Sequence, residues 1–414
     1  MSAWANPKDL LSASFESLPA ADQAAGGADH LADVPVQFHA HVNGPGQLNQ
    51  VAVTDEVEAL LRAGAVCSIG TSGGKDSVAC ALAVSEYLDQ IGHTGPRILI
   101  HADLGRVEWQ DSLPGCERLA EYLGWELMVV RRKAGDMLAR WQGRWANNVR
   151  RYQDLSCVKL ILPWSTPALR FCTSEQKTDV ICSALKKRFP GHDIINATGI
   201  RRQESARRRR MDVSGPMAKL SRKGRTGLAW NPIIEWPLED VLYAIRQRGL
   251  QLHEAYRTYH TTRVSCVFCI MSSHADLIAA STCEDNAQVY RDMVALEARS
   301  SFAFQGNQWL GDIAPELLDD TLLAALARGK RVAVRRNELE ARIPEHLLYT
   351  KGWPTCLPTR SEAVMLAGIR AEVSDLLEIE AVYLTATEIL ERYVGLIAVK
   401  EDTGIMPDAC ETTS

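Results

Sequence analysis

Residues 65–78 read AVCSIGTSGGKDSV and contain three successive patterns. Ala65 to Ile69 is a short apolar run, typical of a buried strand. Gly70 to Gly74 interrupts that run, and apolar side chains then recur at helical spacing as far as Leu88. The stretch therefore predicts a strand, a glycine-containing loop and a helix in direct succession.

Strand and helix patterns continue to alternate on both sides of this stretch. A short helix is indicated around Val57 to Leu61, and a longer one over Cys116 to Leu123. Apolar runs predict further strands at Arg97 to His101, Glu126 to Val130 and Asp193 to Thr198. Repeats of this βαβ kind indicate an α/β fold with a doubly wound, mostly parallel sheet covered by helices on both faces.

The chain divides into three parts by composition and pattern. Residues 1–50, rich in Ala, Gly, Asp and Pro, predict a partly ordered N-terminal extension. Residues 51–290 carry the alternating patterns and predict one α/β domain. After that the strand signals thin out, which predicts a smaller α-rich C-terminal domain over 291–414. Its expected helical segments are 314–328, 361–379 and 386–398.

The composition is that of an ordinary globular protein. Hydrophobic residues make up 46% and charged residues 23% of the 414, so neither disorder nor a fibrous form is indicated. No apolar run approaches the roughly 20 residues that cross a bilayer, and the N-terminus lacks a basic segment followed by an apolar stretch. We therefore expect a cytoplasmic protein without a membrane partner. Its eleven cysteines are expected to be thiols, metal ligands or catalytic groups rather than disulfides.

The loop at residues 72–77, SGGKDS, has the composition of a phosphate-binding turn. Gly73 and Gly74 let the backbone approach a phosphate closely, and the N-terminus of the following helix supplies a favourable dipole. The two serines offer hydroxyl donors, Lys75 offers a mobile positive charge, and Asp76 could position a metal ion or cap the helix. The alternative is a tight connection without a ligand. The whole hexapeptide between a buried strand and an amphipathic helix favours phosphate, at a spacing unlike the Walker A motif.

A strongly basic segment lies farther along the chain. Between Arg201 and Arg225, ten Lys or Arg residues stand against two acids, although the whole chain has a net charge of -5. Such a segment suggests an anionic partner, either the phosphates of a small nucleotide or a nucleic-acid backbone. A solvated loop without a partner is the alternative. An arginine-rich stretch before it carries Trp141 and Trp145. We expect at least two of the three tryptophans Trp141, Trp145 and Trp164 to pack in the core.

Three local predictions concern the second half of the α/β region. Thr173 and Gln176 are placed to form a capping box at the start of a helix. The segment from Gly199 to about Gly227 is expected to be one long basic loop. Pro237 is expected to open a helix, because proline is tolerated at a first helical position.

Four segments, in chain order, resemble one superfamily. Residues 72–77 look like the pyrophosphate loop, or PP-loop, shared by the ATP pyrophosphatases and the phosphoadenosine-phosphosulfate reductases. His101 to Gly105 resembles the Asp-Thr-Gly segment of the reductases, with leucine in place of threonine. Gly199 to Arg208 resembles their Gly-x-Arg-x-x-x-Ser-x-x-Arg segment, and Asn231 to Trp236 their Pro-Ile-x-x-Trp segment. The resemblance covers roughly residues 60–290.

This resemblance implies an adenine nucleotide alpha hydrolase-like fold that binds an adenine nucleotide. It implies catalytic roles for Lys75, Asp76, Arg201 and Arg208, with the cations neutralising phosphate charge and the aspartate helping to place Mg²⁺. Adenine would lie over the sheet edge near Asp103. The nucleotide-binding residues implied are Ser72, Gly73, Gly74, Lys75, Asp76, Ser77, Asp103, Gly199 and Arg201.

Cysteines in the same region are candidate metal ligands. Cys266 and Cys269 have metal-ligand spacing, and Cys172 lies upstream in an Arg-Phe-Cys-Thr segment. The iron-sulfur members of the superfamily carry a similar far cysteine, usually doubled, and a later pair, which implies an iron-sulfur cluster here, of the 4Fe-4S type. Cys283 is the candidate fourth ligand. A three-cysteine cluster with one open iron, a tetrahedral zinc site and buried structural thiols are the alternatives.

The chain resembles most closely the iron-sulfur enzymes of DNA phosphorothioation and tRNA thiolation, which implies a reaction in two stages. ATP with Mg²⁺ would adenylate an oxygen of an acceptor and release pyrophosphate, after which sulfur would replace the activated oxygen. The implied acceptor is DNA or RNA. The sulfur would come from a donor protein such as a cysteine desulfurase.

Two other functions stay open from the sequence. One is a reductase of phosphoadenosine phosphosulfate or adenylyl sulfate. Such reductases use a cysteine in a Glu-Cys-Gly tail, whereas Cys410 stands in the different motif Asp-Ala-Cys-Glu. The other is a non-catalytic, nucleotide-sensing subunit of a complex, with the α-rich domain as its docking surface.

Overall fold

The computed structural model describes residues 50–306 and 308–402. The strands are β1 Val66–Gly70, β2 Arg97–Asp103, β3 Glu126–Arg131, β4 Ile194–Thr198, β5 Ser214–Pro216 and β6 Gly227–Trp230. The α-helices are α1 Asp55–Arg62, α2 Lys75–Gln90, α3 Ser112–Leu123, α4 Met137–Gln153, α5 Phe171–Thr173, α6 Asp179–Arg188, α7 Ala206–Arg209, α8 Leu238–Gln247, α9 Glu254–Arg257, α10 His274–Ser281, α11 Ala287–Ser300, α12 Asp320–Ala341, α13 Arg360–Leu377 and α14 Ala386–Asp402. The predicted N-terminal extension, apart from Gln50, and Cys410 lie outside the described residues.

The described strands form one six-stranded sheet in the order β3-β2-β1-β4-β6-β5. All neighbouring pairs are parallel except β5 and β6. The chain builds outward from β1 through β2 to β3, then returns to the other side of β1 with β4. The predicted doubly wound, mostly parallel sheet is confirmed. Its winding direction reverses between β1 and β4, which is where open sheets of this kind bind ligands.

Alternate residues of each strand face two separate layers of helices. On one face, Cys67 and Ile69 of β1 pack with side chains of α1, α2 and α8. On the other face, Val66 of β1 and Ile98 of β2 pack against Leu185 of α6. Because side chains alternate across a strand, a continuous apolar run is required wherever both faces are covered. The short uninterrupted runs in the sequence follow from this double coverage.

The predicted long loop from Gly199 to Gly227 is in fact partly regular. It contains a 3-10 turn at Arg202–Glu204, the short helix α7 and the edge strand β5, and it ends as β6 begins. The prediction missed β5 because its three residues, Ser-Gly-Pro, show no apolar alternation. Proline is accommodated there since an edge strand has one side without a neighbouring strand.

Two predicted helix starts are wrong. The helix expected from Thr173 begins at Phe171 and passes through a π-helical turn at Ser174–Thr178, where Gln176 is buried instead of capping. The helix expected over 314–328 begins at Asp320, where the Asp319 side chain accepts a hydrogen bond from the Leu322 N–H at 2.7 Å, and runs to Ala341. In both cases the apolar pattern was read without the true N-cap.

The C-terminal helices pack on the α4 side of the α/β region. A single cluster of buried side chains runs from Leu104 to Tyr393 and contains α4, α11, α13 and α14. Trp141, Trp145 and Trp164 are buried within it, which confirms the expected core packing. The division into domains at residue 290 stays a prediction. Among the described residues, no helix is long and apolar enough to span a membrane.

Arg370 ties α13 to the end of α4. Its guanidinium is fully buried and donates hydrogen bonds to the carbonyls of Tyr152 (2.9 Å), Gln153 (3.3 Å), Val382 (2.6 Å) and Tyr383 (3.1 Å). We expect Arg370→Met to lower the free energy of unfolding by on the order of 3 kcal/mol, because buried carbonyls lose their donor. Urea denaturation monitored by far-UV circular dichroism measures this change.

The control is Arg360→Met, which removes an exposed arginine from the first turn of the same helix. It should change the unfolding free energy by no more than about 0.5 kcal/mol. Equal effects of the two substitutions would contradict a special role for Arg370.

Candidate functional site

The candidate site lies at the carboxyl ends of β1 and β4, where the sheet reverses direction. Loop 72–77 leaves β1, and the Gly199 segment leaves β4 beside it. A side chain at Gly199 would overlap the backbone carbonyl of Asp76. Glycine is therefore required at this position if the two loops are to meet.

The PP-loop wraps the N-terminus of α2. Gly73 adopts a left-handed conformation with φ of 71°, and Gly74 is the N-cap residue with no side-chain cap. The Ser77 hydroxyl donates to the Gly74 carbonyl at 2.8 Å and accepts from the Ser72 N–H at 3.3 Å. This bonding holds the turn open toward an anion at the positive end of the helix dipole.

Lys75 differs from the expected mobile cation in an exposed loop. Its side chain is buried, and Nζ lies 3.0 Å from the Thr262 carbonyl and 3.5 Å from the Tyr256 hydroxyl. Thr262 is held in turn by Asp276, which accepts from its N–H at 2.7 Å and its hydroxyl at 2.9 Å. The segment after α9 thus covers the loop, a contact between residues far apart in sequence that the local pattern could not indicate.

Asp76 forms an ion pair with Arg201, the first arginine after β4. Its Oδ1 lies 2.6 Å from Arg201 Nε, and its Oδ2 lies 3.6 Å from Lys75 Nζ. Arg201 is buried and also donates to Gln203 Oε1 at 2.7 Å. Asp76 does not cap α2, as one reading of the sequence expected, because Gly74 holds that position. Its carboxylate instead fixes the two cations that the sequence assigned to phosphate.

Arg208 is engaged at a different place. It forms an ion pair with Glu204, whose carboxylate also accepts from the Arg201 N–H at 2.9 Å. The Arg208 side chain is 33% exposed. A role for Arg208 on the ligand stays a prediction.

A cleft of about 870 Å³ opens next to the loop, at the carboxyl ends of β2 and β3. Its wall includes the carboxylates of Asp103 and Glu108 and the cations of Arg131 and Lys133. Asp103 accepts a hydrogen bond from the Gly105 N–H at 2.7 Å and is paired with Arg131. The cleft has room for a nucleoside beside the position that the sequence assigned to adenine.

His101 lies beneath this cleft, in a role that sequence reasoning did not find. Its Nδ1 is 3.0 Å from the Thr71 carbonyl, and its Nε2 is 3.1 Å from Glu108 Oε2. Burial opposes the charged ring, but hydrogen bonds to Cys116 and Glu108 raise the pKa of His101 to about 10. The usable signal was the pair formed by His101, near the end of β2, and Glu108, in the segment that follows β2, since both residue types can hydrogen-bond across such a turn.

The candidate metal ligands are free thiols, like every other described cysteine. Burial raises the pKa of the Cys266 thiol, and its neighbours Cys269 and Cys172 raise it further, while Lys177 lowers it. These three cysteines are therefore close enough to interact. Cys283, the expected fourth ligand, is buried in the core, where it raises the pKa of the Tyr259 hydroxyl.

The thiols do not form a ready metal site. Sulfur ligands suit iron-sulfur clusters and zinc chemically. Within the described ranges, however, no three His, Cys, Asp or Glu side chains converge as a metal-binding group. Cys172, Cys266 and Cys269 thus lie near one another, but their sulfur atoms do not converge as ligands of one metal.

The basic segment does not form a single surface. Arg222 donates to the Lys186 and Phe189 carbonyls at the end of α6, at 3.1 and 2.5 Å, and Lys219 is paired with Asp179. These two cations of the basic segment are therefore structural and are not available to an anionic partner. Five others are exposed and form no ion pair in the described part of the chain, namely Arg207, Arg209, Arg210, Lys223 and Arg225.

These five cations lie at opposite ends of the sheet. Arg207, Arg209 and Arg210 follow β4, at the carboxyl end that carries the PP-loop. Lys223 and Arg225 precede β6, whose first residue pairs with the first residue of β4 at the amino end. Of these five, the first group is the one at the carboxyl end of the sheet, where the candidate site lies.

Comparisons with solved structures and with protein families were made for the whole chain. Solved structures with similarity include a phosphoadenylyl-sulfate reductase from Candida auris in a phosphate complex, with 13% identity, TM-score 0.30, and coverage of 50% of this chain and 93% of that chain. The U34-tRNA thiolase NcsA from Methanococcus maripaludis with its 4Fe-4S cluster has 17% identity and TM-score 0.27, and the match covers 72% of this chain and 80% of that chain. The NAD⁺ synthetase from Burkholderia pseudomallei has 14% identity and TM-score 0.30, with coverage of 69% of this chain and 87% of that chain. At such values the likeness does not extend to activity.

No curated protein matches the chain. The sequence profile of the phosphoadenosine phosphosulfate reductase domain matches residues 66–272, which is half of the chain. The matched region contains the PP-loop, the cleft, Arg201 and the cysteines at 172, 266 and 269. The chain therefore belongs to the phosphoadenosine phosphosulfate reductase domain family, within the PP-loop superfamily.

Proposed function

We propose that the protein activates an acceptor with ATP and prepares it for sulfur transfer. The observation that carries the proposal is that three features lie together along the carboxyl edge of the sheet. These are the open N-terminus of α2, the buried cation Arg201 and the cleft beside Asp103. A helix N-terminus with nearby cations binds phosphates, and the cleft accommodates a nucleoside.

Different residues of the chain would bind the triphosphate and neutralise its charge. The loop at 72–77 and the α2 dipole bind the triphosphate. Arg201, oriented by Asp76, neutralises the charge that develops on the departing pyrophosphate. Lys75 can add to this only after it exchanges the Thr262 carbonyl for a phosphate oxygen.

The proposed chemistry balances in two steps. An acceptor oxygen attacks the α-phosphorus of ATP, the bond to the β-phosphate bridge breaks, and pyrophosphate leaves. A donor protein such as a cysteine desulfurase supplies sulfur as a persulfide, and a thiol reductant adds the two electrons that bring this sulfur to the sulfide level. The sulfide then displaces AMP, which carries away the activated oxygen. DNA or RNA is the proposed acceptor.

Two metal groups are implied for this reaction, Mg²⁺ and a cysteine-ligated cluster or zinc, and the residues present suit them to different degrees. Asp76 is already paired with Arg201 and lies near Lys75, so it is a poor ligand for Mg²⁺ in this arrangement. We propose Mg²⁺ as a companion of the nucleotide phosphates. Cys172, Cys266 and Cys269 remain candidate ligands for a cluster or zinc, and no step above depends on them.

Two alternatives use the same site differently. In a sulfonucleotide reductase, Arg201 and its neighbours would bind sulfate and phosphate, and the products would include sulfite. In a nucleotide-sensing subunit, binding would occur without turnover. Pyrophosphate release from ATP supports the preferred function, thiol-dependent sulfite release supports the reductase, and tight binding alone supports the sensor.

We expect Arg201→Ala to reduce ATP-dependent pyrophosphate release by on the order of 100-fold, because a preorganised cation at the phosphates is lost. Arg201→Lys should restore part of the rate. The assay is pyrophosphate release with ATP and candidate nucleic acids. The control is Arg188→Ala, which removes an arginine paired at 3.4 Å with Glu126, at the opposite end of the sheet. Unchanged turnover in Arg201→Ala would show that Arg201 takes no part in the reaction.

We expect Gly199→Ala to weaken ATP binding at least 10-fold while the protein stays folded, because a new methyl group must displace the Asp76 backbone and the start of α2. Calorimetric titration with ATP and with adenylyl sulfate measures the loss. Gly191→Ala is the matched control, since a methyl group there would meet no atom within 4 Å. If both variants bind like the parent, the site lies elsewhere.

We expect nucleic-acid binding to depend on the cations beside the PP-loop. Replacing Arg207, Arg209 and Arg210 with Gln should make the log-log salt dependence shallower by about 0.9 for each lost phosphate contact. The same change at Lys223 and Arg225 is the control and should leave the slope as it is. Filter binding at several salt concentrations provides the test. If the substitutions at Lys223 and Arg225 change the slope and those at the three arginines do not, the nucleic acid binds at the amino end of the sheet, contrary to the prediction.

A further inference from the structure

Buried His101 connects the root of the PP-loop to the wall of the cleft. Thr71, whose carbonyl faces Nδ1, directly precedes the loop, and Glu108, whose carboxylate faces Nε2, lines the cleft. We propose that His101 is a positioning residue that, as an imidazolium held between these two acceptors, fixes the PP-loop for nucleotide binding. This inference rests on the proposed nucleotide site.

The two hydrogen bonds require a doubly protonated ring. A backbone carbonyl can only accept a hydrogen bond, and an ionised carboxylate can only accept as well. A neutral imidazole has a single N–H, so one of its nitrogens would turn a lone pair toward an acceptor oxygen. With the Glu108 carboxylate ionised, both contacts, at 3.0 and 3.1 Å, are satisfied together only by the charged form of the ring.

The surroundings favour that charge. The titratable groups that face the ring are Glu108, which follows β2, and Cys116 of α3, whose Sγ lies 3.7 Å from Nδ1. The ring is 1% exposed, so solvent screens the pair with Glu108 weakly. Removal of the Glu108 charge should therefore lower the proton affinity of His101.

A continuous set of contacts leads from the ring to the phosphate-binding turn. The Thr71 hydroxyl lies 3.5 Å from the Ser77 hydroxyl, and Ser77 bonds to both Ser72 and Gly74. Thr71 is thus fixed at its carbonyl by His101 and at its hydroxyl by the loop. Loss of the ring would free the carbonyl and let the turn shift.

The first experiment measures the charge directly and uses no nucleotide. Nitrogen-15 NMR of the parent should show both ring nitrogens of His101 protonated at pH 7.5. In Glu108→Gln the ring should lose a proton within the accessible pH range. A ring with one proton at pH 7.5 in the parent would overturn the proposal.

Stability should follow the same proton. Because the folded pKa of His101 is raised from 6.5 to about 10, its contribution to stability is complete below pH 6.5 and is lost as the pH rises toward 10. His101→Gln should remove this part of the pH dependence. His192→Gln, at an exposed histidine, should leave it unchanged.

The second experiment measures the effect on the loop. His101→Gln should raise the Kd for ATP about 10-fold, with a smaller change in kcat, and Glu108→Gln should make ATP affinity fall as the pH rises. An unchanged Kd at all pH values in both variants would falsify the positioning role. Failure of the parent to bind ATP or adenylyl sulfate would overturn the proposed function instead, while the NMR measurement would still decide the charge of His101.

Discussion

The close packing of Gly199 on the backbone of Asp76 is the contact on which the rest of the site depends. Neighbouring strands lie roughly 4.8 Å apart, so the loops that leave β1 and β4 must pass each other with little space between them. A glycine removes the one side chain that would separate them. The same approach brings Arg201 onto Asp76 and places it beside the first turn of α2.

Acidic groups at the site hold cations and are not directed at a ligand. Asp76 holds Arg201, Asp103 holds Arg131, and Glu108 holds His101. Each pairing orients a positive group at the carboxyl edge of the sheet and reduces the repulsion among cations. An incoming polyphosphate would therefore meet positive groups whose positions are already set, which lowers the cost of reorganisation on binding.

The sequence predicted the parts of this arrangement that depend on local pattern. The strand, loop and helix at 65–88 follow from apolar periodicity, and Gly199 was found because its segment resembles a known motif. The Thr262 partner of Lys75 could not be predicted, because 187 residues separate them and a carbonyl has no residue signature. The His101 contacts were missed for a similar reason, since one of them is made to the backbone of Thr71.

The segment between Thr262 and Val267 is fixed at both ends. Thr262 receives Lys75 from the PP-loop, and the Val267 N–H donates to the Val107 carbonyl at 2.8 Å, next to the cleft. The distance along the chain between these anchors is thus set by the spacing of two parts of the site. An insertion or deletion here would displace one anchor even if every side chain were kept. The number of residues between Thr262 and Val267 is therefore constrained as strictly as their identity.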